Sequence, residues 1–364
     1  MTLRVALVGG PMYDHLYRVL DDVEVVVHED HPTLNREIAQ RLSAGERVDV
    51  LSTHSKYAPS QSQWLRPLDD MVGSDVVLRL APKAADLCRF RGELLSLPRC
   101  IDVRVLWLRT DRTLEAPDSW EDLVASDIVF GFPGRESGLF GTFFEIVVAN
   151  GGRLFDEYAS PVIESPEAAH AVELLCALAE RAPADLPDWH YDQVDAALLG
   201  GRLDAAAAWP GGYGPIRSSE VAELLQPHPY LAGAERRVSY AGVHSWAIPT
   251  TCGDVAGAAA LIERLTSGEV ALLDAIGGNV PANLRAFASV EPQNEIDARR
   301  LDITRDTIAN AMITYPHLER FPEVEDAGWK AINRALRGEL APDAAVAEVQ
   351  LAAERALGQP GQSP

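Results

Sequence analysis

Residues 88–111 read CRFRGELLSLPRCIDVRVLWLRTD, and the rest of the chain can be organised around them. The pattern predicts a hairpin turned at Arg91-Gly92, a stop at Pro98, and a second extended run in which Val103, Val105 and Trp107 alternate with Asp102, Arg104 and Leu106. One face of that run is apolar and the other carries charge. An Asp and an Arg on a strand directly after a proline are costly inside a domain unless they meet water, a partner or a ligand. The stretch therefore predicts a ligand cleft with Arg99 and Asp102 at its corner.

Upstream, residues 4–8 and 23–27 read as strands, and Thr33 reads as the N-cap of a helix carrying Leu34, Ile38 and Leu42 on one face, closed by Gly45. Residues 48–52 return as a buried strand, a βαβ rhythm whose default is a mainly parallel sheet. The loop that follows, THSKYAPSQSQWLRP, sits where open α/β sheets bind ligands, which makes His54, Ser55 and Tyr57 site candidates.

Downstream, Ser119 and Asp122 form an S-x-x-D capping box. Residues 128–132 read as a strand running into PGRESGLFGTFFEIVVANGG, a turn and an apolar helix. That turn can aim backbone N–H groups at hydroxyls or anions, which adds Glu136 and Ser137. Ser165-Pro166 starts a helix. Val194, Ala197 and Leu198 suit another, ended by Gly200-Gly201, before a strand at 205–209 that breaks at Pro210. Trp189, His190, Trp209 and Tyr213 fall at element ends, where polar-tipped aromatics suit a stacking surface. The strand VSYAGVHSWAIPTT brings His244 and Trp246, and a tight turn at 277–281 brings Asn279. Helices are expected at 255–265, 267–275, 306–312, 325–336 and 343–357. In the helix at 325–336, Trp329, Ile332 and Leu336 share a face.

Composition narrows the function. A chain of 364 residues with 47% apolar content suggests two well-packed domains. A formal charge of -22 opposes a nucleic-acid partner and does not favour anionic membranes. Apolar runs are too short for membrane insertion. The chain opens at once on a strand pattern without a leader, so it reads as cytoplasmic if complete as given, and as periplasmic or extracellular if a leader is removed. The four cysteines lack CxxC spacing; they read as free thiols, with a Cys88–Cys100 bridge open in an oxidising compartment. His28-Glu29-Asp30-His31 lacks helical metal-ligand spacing and reads as a solvated turn, so no metal is expected. Val8-Gly9-Gly10 is no dinucleotide loop, and no P-loop or catalytic triad pattern occurs, so no cofactor is expected.

Eight stretches together resemble the extracellular solute-binding proteins of ABC sugar importers, the maltose-binding-protein-like group. They are VDVLSTHSKYAPSQSQWLRPLDDMVG, LCRFRGELLSLPRCIDVRVLWLRTD, APDSWEDLVA, NGGRLFDEYASPVIESPEAAHAVELL, LLGGRLDAAAAWPGG, HSWAIPTT, IGGNVPAN and YPHLERFPEVEDAGWKAINRALRGELAPDAAVAEV. Their order matches the family over nearly the whole chain. The resemblance implies a two-lobe periplasmic-binding-protein fold, each lobe a mixed, mainly parallel sheet flanked by helices, with crossing hinge strands. It implies an N-terminal lobe of 1–104 and 246–298, a C-terminal lobe of 105–245 and 299–357, and a flexible tail at 358–364. A sugar is then held by closure of the lobes, a membrane permease is the partner, the chain is a monomer, and Asp102 occupies the place that supplies a carboxylate to sugar hydroxyls.

The residue chemistry suits that reading. Sugars need carboxylates, amides and guanidinium groups for hydroxyls and aromatic rings for C–H faces. His54, Arg99, Asp102, Trp189, Trp209, Tyr213, His244, Trp246 and Asn279 offer the mixture. Each bond exchanged with water nets only about 0.5–1.5 kcal/mol, so many contacts are required. Arg99, Arg104 and Arg135 hint at an acidic sugar, unless Asp102 and Glu136 pair with them. The expected function is non-enzymatic capture of a mono- or oligosaccharide. The alternative is an intracellular sensor or enzyme acting on a sugar or sugar acid, with Asp102, His54 and His244 as acid/base groups. Under either reading the corner at 99–102 should meet Trp246 and Asn279 in space.

Overall fold

A computed structural model describes residues 1–112 and 115–358; the tail expected at 358–364 lies, beyond Gly358, outside the described residues. The strands in chain order are β1 (Leu3–Val8), β2 (Val23–Glu29), β3 (Val50–His54), β4 (Arg89–Phe90), β5 (Glu93–Leu94), β6 (Leu97–Asp102), β7 (Val105–Arg109), β8 (Phe130–Gly131), β9 (Ala205–Ala208), β10 (Leu225–His228), β11 (Ser239–Tyr240), β12 (Gly242–Ala247) and β13 (Met312–Ile313). The chain forms two compact units. The first comprises Met1–Asp102, Pro210–Arg217 and Ala241–Glu291, and the second comprises Val103–Trp209, Ser218–Tyr240 and the chain from Pro292 onward. This division departs from the expected one most clearly at Pro210–Arg217, which clusters with the first unit. The reason is close backbone approach: a Cβ on Gly211 would lie 2.7 Å from Asn279 Oδ1, and one on Gly214 would lie 2.7 Å from the Gly277 carbonyl.

The first unit is built on a five-stranded sheet in the order β2-β1-β3-β12-β6. Strands β1, β2 and β3 run parallel, whereas β12 runs antiparallel to both β3 and β6. Helix His31–Ser43 connects β2 to β3 and buries Leu34, Ile38 and Leu42, an i, i+4, i+8 stripe. Its cap is Asp30, not Thr33: Asp30 is extended and accepts from the Thr33 N–H at 2.9 Å. Gly45, at φ 72, closes the helix in the left-handed conformation expected of a terminating glycine.

The hairpin forms where the sequence places it, with Arg91 (φ 52) and Gly92 (φ 88) as the two left-handed turn residues. Pro98 does not stop the run, however; it lies inside β6. Two features accommodate it. β6 is the last strand of the sheet, and the register with β12 slips there, pairing His244 with Cys100 but Ser245 with Pro98, so that Arg99 is the extra residue of a bulge. The outer edge of β6 is then covered by the 280–282 segment through Ile101 N–H to Val280 (2.9 Å) and Ala282 N–H to Arg99 (2.9 Å).

The second unit carries the sheet β10-β7-β9-β8 and a short parallel pair, β11 with β13. Within the four-stranded sheet only β8 and β9 are parallel. The expected run of alternating faces is divided at the unit boundary: Asp102 ends β6, and β7 starts the second sheet at Val105. Strand β7 is internal and buried at every residue, so its alternation does not mark a wet face. Arg109, at its end, is neutralised by Asp111 at 2.9–3.0 Å. Helix Glu136–Ala149 is buried continuously from Gly138 to Ala149 and packs against helices Pro166–Arg181 and Phe321–Leu336. In Phe321–Leu336 the core face is Phe321, Val324, Gly328, Ala331, Ile332 and Ala335, with Trp329 only half-buried. The Ser119–Asp122 capping box is present in both directions, and Ser165 caps the helix that begins at Pro166.

Candidate functional site

In the first unit three adjacent strands end in a polar cluster. The β3–β12 register sets His54 opposite His244, and the β12–β6 register sets Gly242 opposite Asp102. His244 Nε2 lies 2.9 Å and His54 Nε2 3.8 Å from Asp102 Oδ2. The vacancy of a side chain at Gly242 creates this approach, because a Cβ there would collide with His54 Nε2 and Cε1. All three polar residues are buried, Asp102 at 8% exposure being the most open.

The cluster is held from outside by aromatic and imidazole rings. The Tyr13 hydroxyl lies 3.1 Å from His244 Nε2, and His31 Nε2 lies 3.2 Å from His244 Nδ1. Tyr57 faces His54 and His31 at ring separations of 6.1 Å. The Lys56 N–H donates to His54 Nδ1 at 3.2 Å. Burial, with the nearby charges of His244, Lys56 and His31, holds the His54 imidazole well below its usual pKa, so it is neutral at pH 7.

Beside this cluster lies a structural ion pair. The bulge aims Arg99 at Asp274, to which it donates twice, at 2.8 and 2.9 Å, with both side chains 2% exposed. Asp274 also accepts from Asn279 at 2.8 Å and meets His15 Nε2 at 3.0 Å. Burial alone would raise the Asp274 carboxyl, but the Arg99 guanidinium, His15 and Asn279 together hold it below the usual carboxylate range. The remaining Asn279 donor bond runs to the Met12 carbonyl at 3.1 Å.

The second unit has its own buried polar centre. Arg104 Nε lies 3.2 Å from Glu145 Oε2, Arg104 Nη1 donates to Thr142 at 3.0 Å, and Glu145 accepts from the Tyr240 N–H at 2.8 Å and the Tyr230 hydroxyl at 3.1 Å. Burial pushes the Glu145 carboxyl up to about 7 against the pull of Arg104. Trp209 covers the Arg104 guanidinium at 4.7 Å and meets Tyr240 edge-on at 6.1 Å; Tyr315 stacks on Phe144 at 4.5 Å.

The expected site residues thus fall into distinct settings. His54, Asp102, His244 and Tyr57 come together, and the corner at 99–102 does meet Trp246, whose ring is 5.8 Å from the Arg99 guanidinium, and Asn279 through Asp274. Trp246 is fully buried beneath them. Ser55 extends the sheet pairing, exchanging hydrogen bonds with Val243 at 2.9 and 3.2 Å. Tyr213 is buried beside Gly278, also in the first unit. In the second unit Trp209 joins the aromatic set, Ser137 lies beside Tyr191, and Glu136 pairs with Arg135 at 2.5 Å and His190 at 3.5 Å. Trp189 is buried under Arg202 at 4.9 Å, apart from that set.

The sequence reading overlooked His31, Tyr13, Asp274 and Tyr315. His31 had a legible signal: with Asp30 as cap, it becomes the first residue of a helix and not part of a solvated turn. His28 does stay at the surface, 2.8 Å from Asp14. All four cysteines are free thiols.

No protein-family model matches the chain. Among solved structures, it is similar to maltose-bound MalE3 of T. maritima, at TM-score 0.87 and 21% identity over 97% of this chain and 99% of that one. A solute-binding protein of an ABC transporter from Thermotoga lettingae, bound to α-D-tagatose, matches at TM-score 0.87 and 18% identity over 98% and 100% of the two chains. Another from Agrobacterium radiobacter, in complex with ribitol, matches at TM-score 0.86 and 19% identity over 98% of each. The chain therefore has the two-lobe fold of ABC solute-binding proteins. Among the described residues no helix is long and apolar enough to cross a membrane.

Proposed function

We propose that the chain is a non-enzymatic carbohydrate-binding protein serving an ABC importer, acting as a monomer outside the membrane and handing its ligand to a permease. The observation that carries the reading is a fold shared over nearly its whole length with proteins solved bound to maltose, tagatose and ribitol. Asp102, with His54, His244 and Tyr13 around it, supplies acceptors and donors for adjacent hydroxyls.

The arginines favour a neutral sugar or polyol over a uronate. Each has a carboxylate beside it: Arg99 pairs with Asp274, Arg135 with Glu136, and Arg104 with Glu145. The test is a calorimetric screen of neutral sugars, polyols and uronates, with each mixture analysed for product. Tight binding of a neutral ligand without turnover supports the proposal, whereas a converted ligand overturns it. Asp102→Asn should weaken the identified ligand by at least tenfold, since a charged hydrogen bond contributes about 1.5–3 kcal/mol.

A further inference from the structure

We propose that His54, Asp102 and His244 form a binding site for a divalent first-row transition-metal ion of the zinc class. This goes beyond the carbohydrate reading and does not need it, because the ion alone is the probe.

The geometry comes from three neighbouring strands. One ligand atom from each residue can be chosen so that all lie within 4.8 Å of one another. Bonds of roughly 2.0–2.2 Å to a tetrahedral ion place ligand atoms about 3.4 Å apart. Two of the three pairs, at 2.9 Å and 3.8 Å about Asp102 Oδ2, bracket that value, and the third lies within 4.8 Å. Two imidazoles and one carboxylate suit zinc, cobalt or nickel; magnesium and calcium prefer all-oxygen shells.

The surroundings supply what a metal site needs beyond its ligands. His31, 3.2 Å from the far nitrogen of His244, can orient that ring, as outer-shell partners of ligating histidines do. The Tyr13 hydroxyl, 3.1 Å from His244 Nε2, places a further oxygen beside the ligand atoms. Gly242 clears the space into which the His54 ring extends. Ligation through His54 Nε2 moves the ring proton to Nδ1 and gives up the 3.2 Å bond from the Lys56 N–H.

The experiment titrates the metal-stripped, sugar-free full chain with Zn(II) by calorimetry and with Co(II) by visible absorption. One ion per chain is expected, with the intense bands of tetrahedral Co(II). Asp102→Asn and His244→Ala should each weaken binding at least tenfold, and His31→Ala by about 10–100-fold. His28→Ala, altering an exposed histidine next to Asp14, should change nothing. Asp102→Asn preserves the side-chain shape, so it decides the matter if His244→Ala fails to fold. The proposal is overturned if no ion binds, if affinity survives Asp102→Asn unchanged, or if His28→Ala removes it. Failure of the sugar screen alone would leave these readouts untouched.

Discussion

Asp274→Ala should be among the most damaging single substitutions in the first unit. Arg99 and Asp274 are each 2% exposed in their side chains and joined by two hydrogen bonds of 2.8–2.9 Å. Removing the carboxylate leaves a buried guanidinium without its counter-ion, a loss of about 3–5 kcal/mol. The rings of Tyr13, Tyr17 and Trp246, each 5.8 Å from Arg99, stay in place and cannot replace a charge. The assay is urea unfolding of the wild type, Asp274→Ala, Arg99→Met and the Asp274→Ala/Arg99→Met double variant. Removing both charges together leaves no unpaired ion, so the double variant should be more stable than either single variant. Acid adds a second readout. Because the folded carboxyl titrates below its unfolded value, its contribution is fully present above about pH 4 and is lost as pH falls further. Asp274→Ala should flatten that acid limb. A single-variant cost below about 1 kcal/mol, or a double-variant cost equal to the sum of the singles, would refute the pairing argument.

Three further outcomes are expected. Gly242→Ala should destabilise by about 1–3 kcal/mol and displace His54, seen as a shifted His54 imidazole resonance; an unmoved resonance would contradict the close approach. Glu145, whose carboxyl is raised from the usual 4.5 to about 7, binds more protons folded than unfolded in that window, so stability should fall as pH rises through it; Glu145→Gln should remove that slope in equilibrium unfolding. Ser119→Ala deletes half of a reciprocal capping box and should cost about 0.5–2 kcal/mol by denaturant midpoint, with ligand binding unchanged.

Local chemistry made much of the fold legible. Ser119, Ser165 and Gly45 announce helix ends because capping is settled within a few residues, and Arg91-Gly92 announces its turn because both residues must be left-handed. The order of eight short stretches carried the two-lobe fold where no single stretch could. What the sequence could not display was pairing at long range. Arg99 looked like a partner for Asp102, three residues away, yet it meets Asp274, 175 residues away, because the bulge re-aims its side chain. Asp102 and Arg104 read as charges needing water, a partner or a ligand; both are buried against protein partners, Asp102 beside His244 and Arg104 beside Glu145.

The candidate site repeats that lesson in a more instructive form. Asp102, His54 and His244 were each recognisable as polar groups at strand ends, but their convergence depends on a residue with no side chain. Gly242 in VSYAGVHSWAIPTT offers no donor, acceptor or charge, and period-two patterning passes over it. Its role is visible only once β12 lies between β3 and β6, where any Cβ would collide with the His54 ring and push it away from Asp102. A glycine inside a strand marks a close approach, and here the approaching group is the imidazole on which the proposed ion site depends. Substitution at Gly242 therefore tests the geometry of the cluster without removing any of its polar groups.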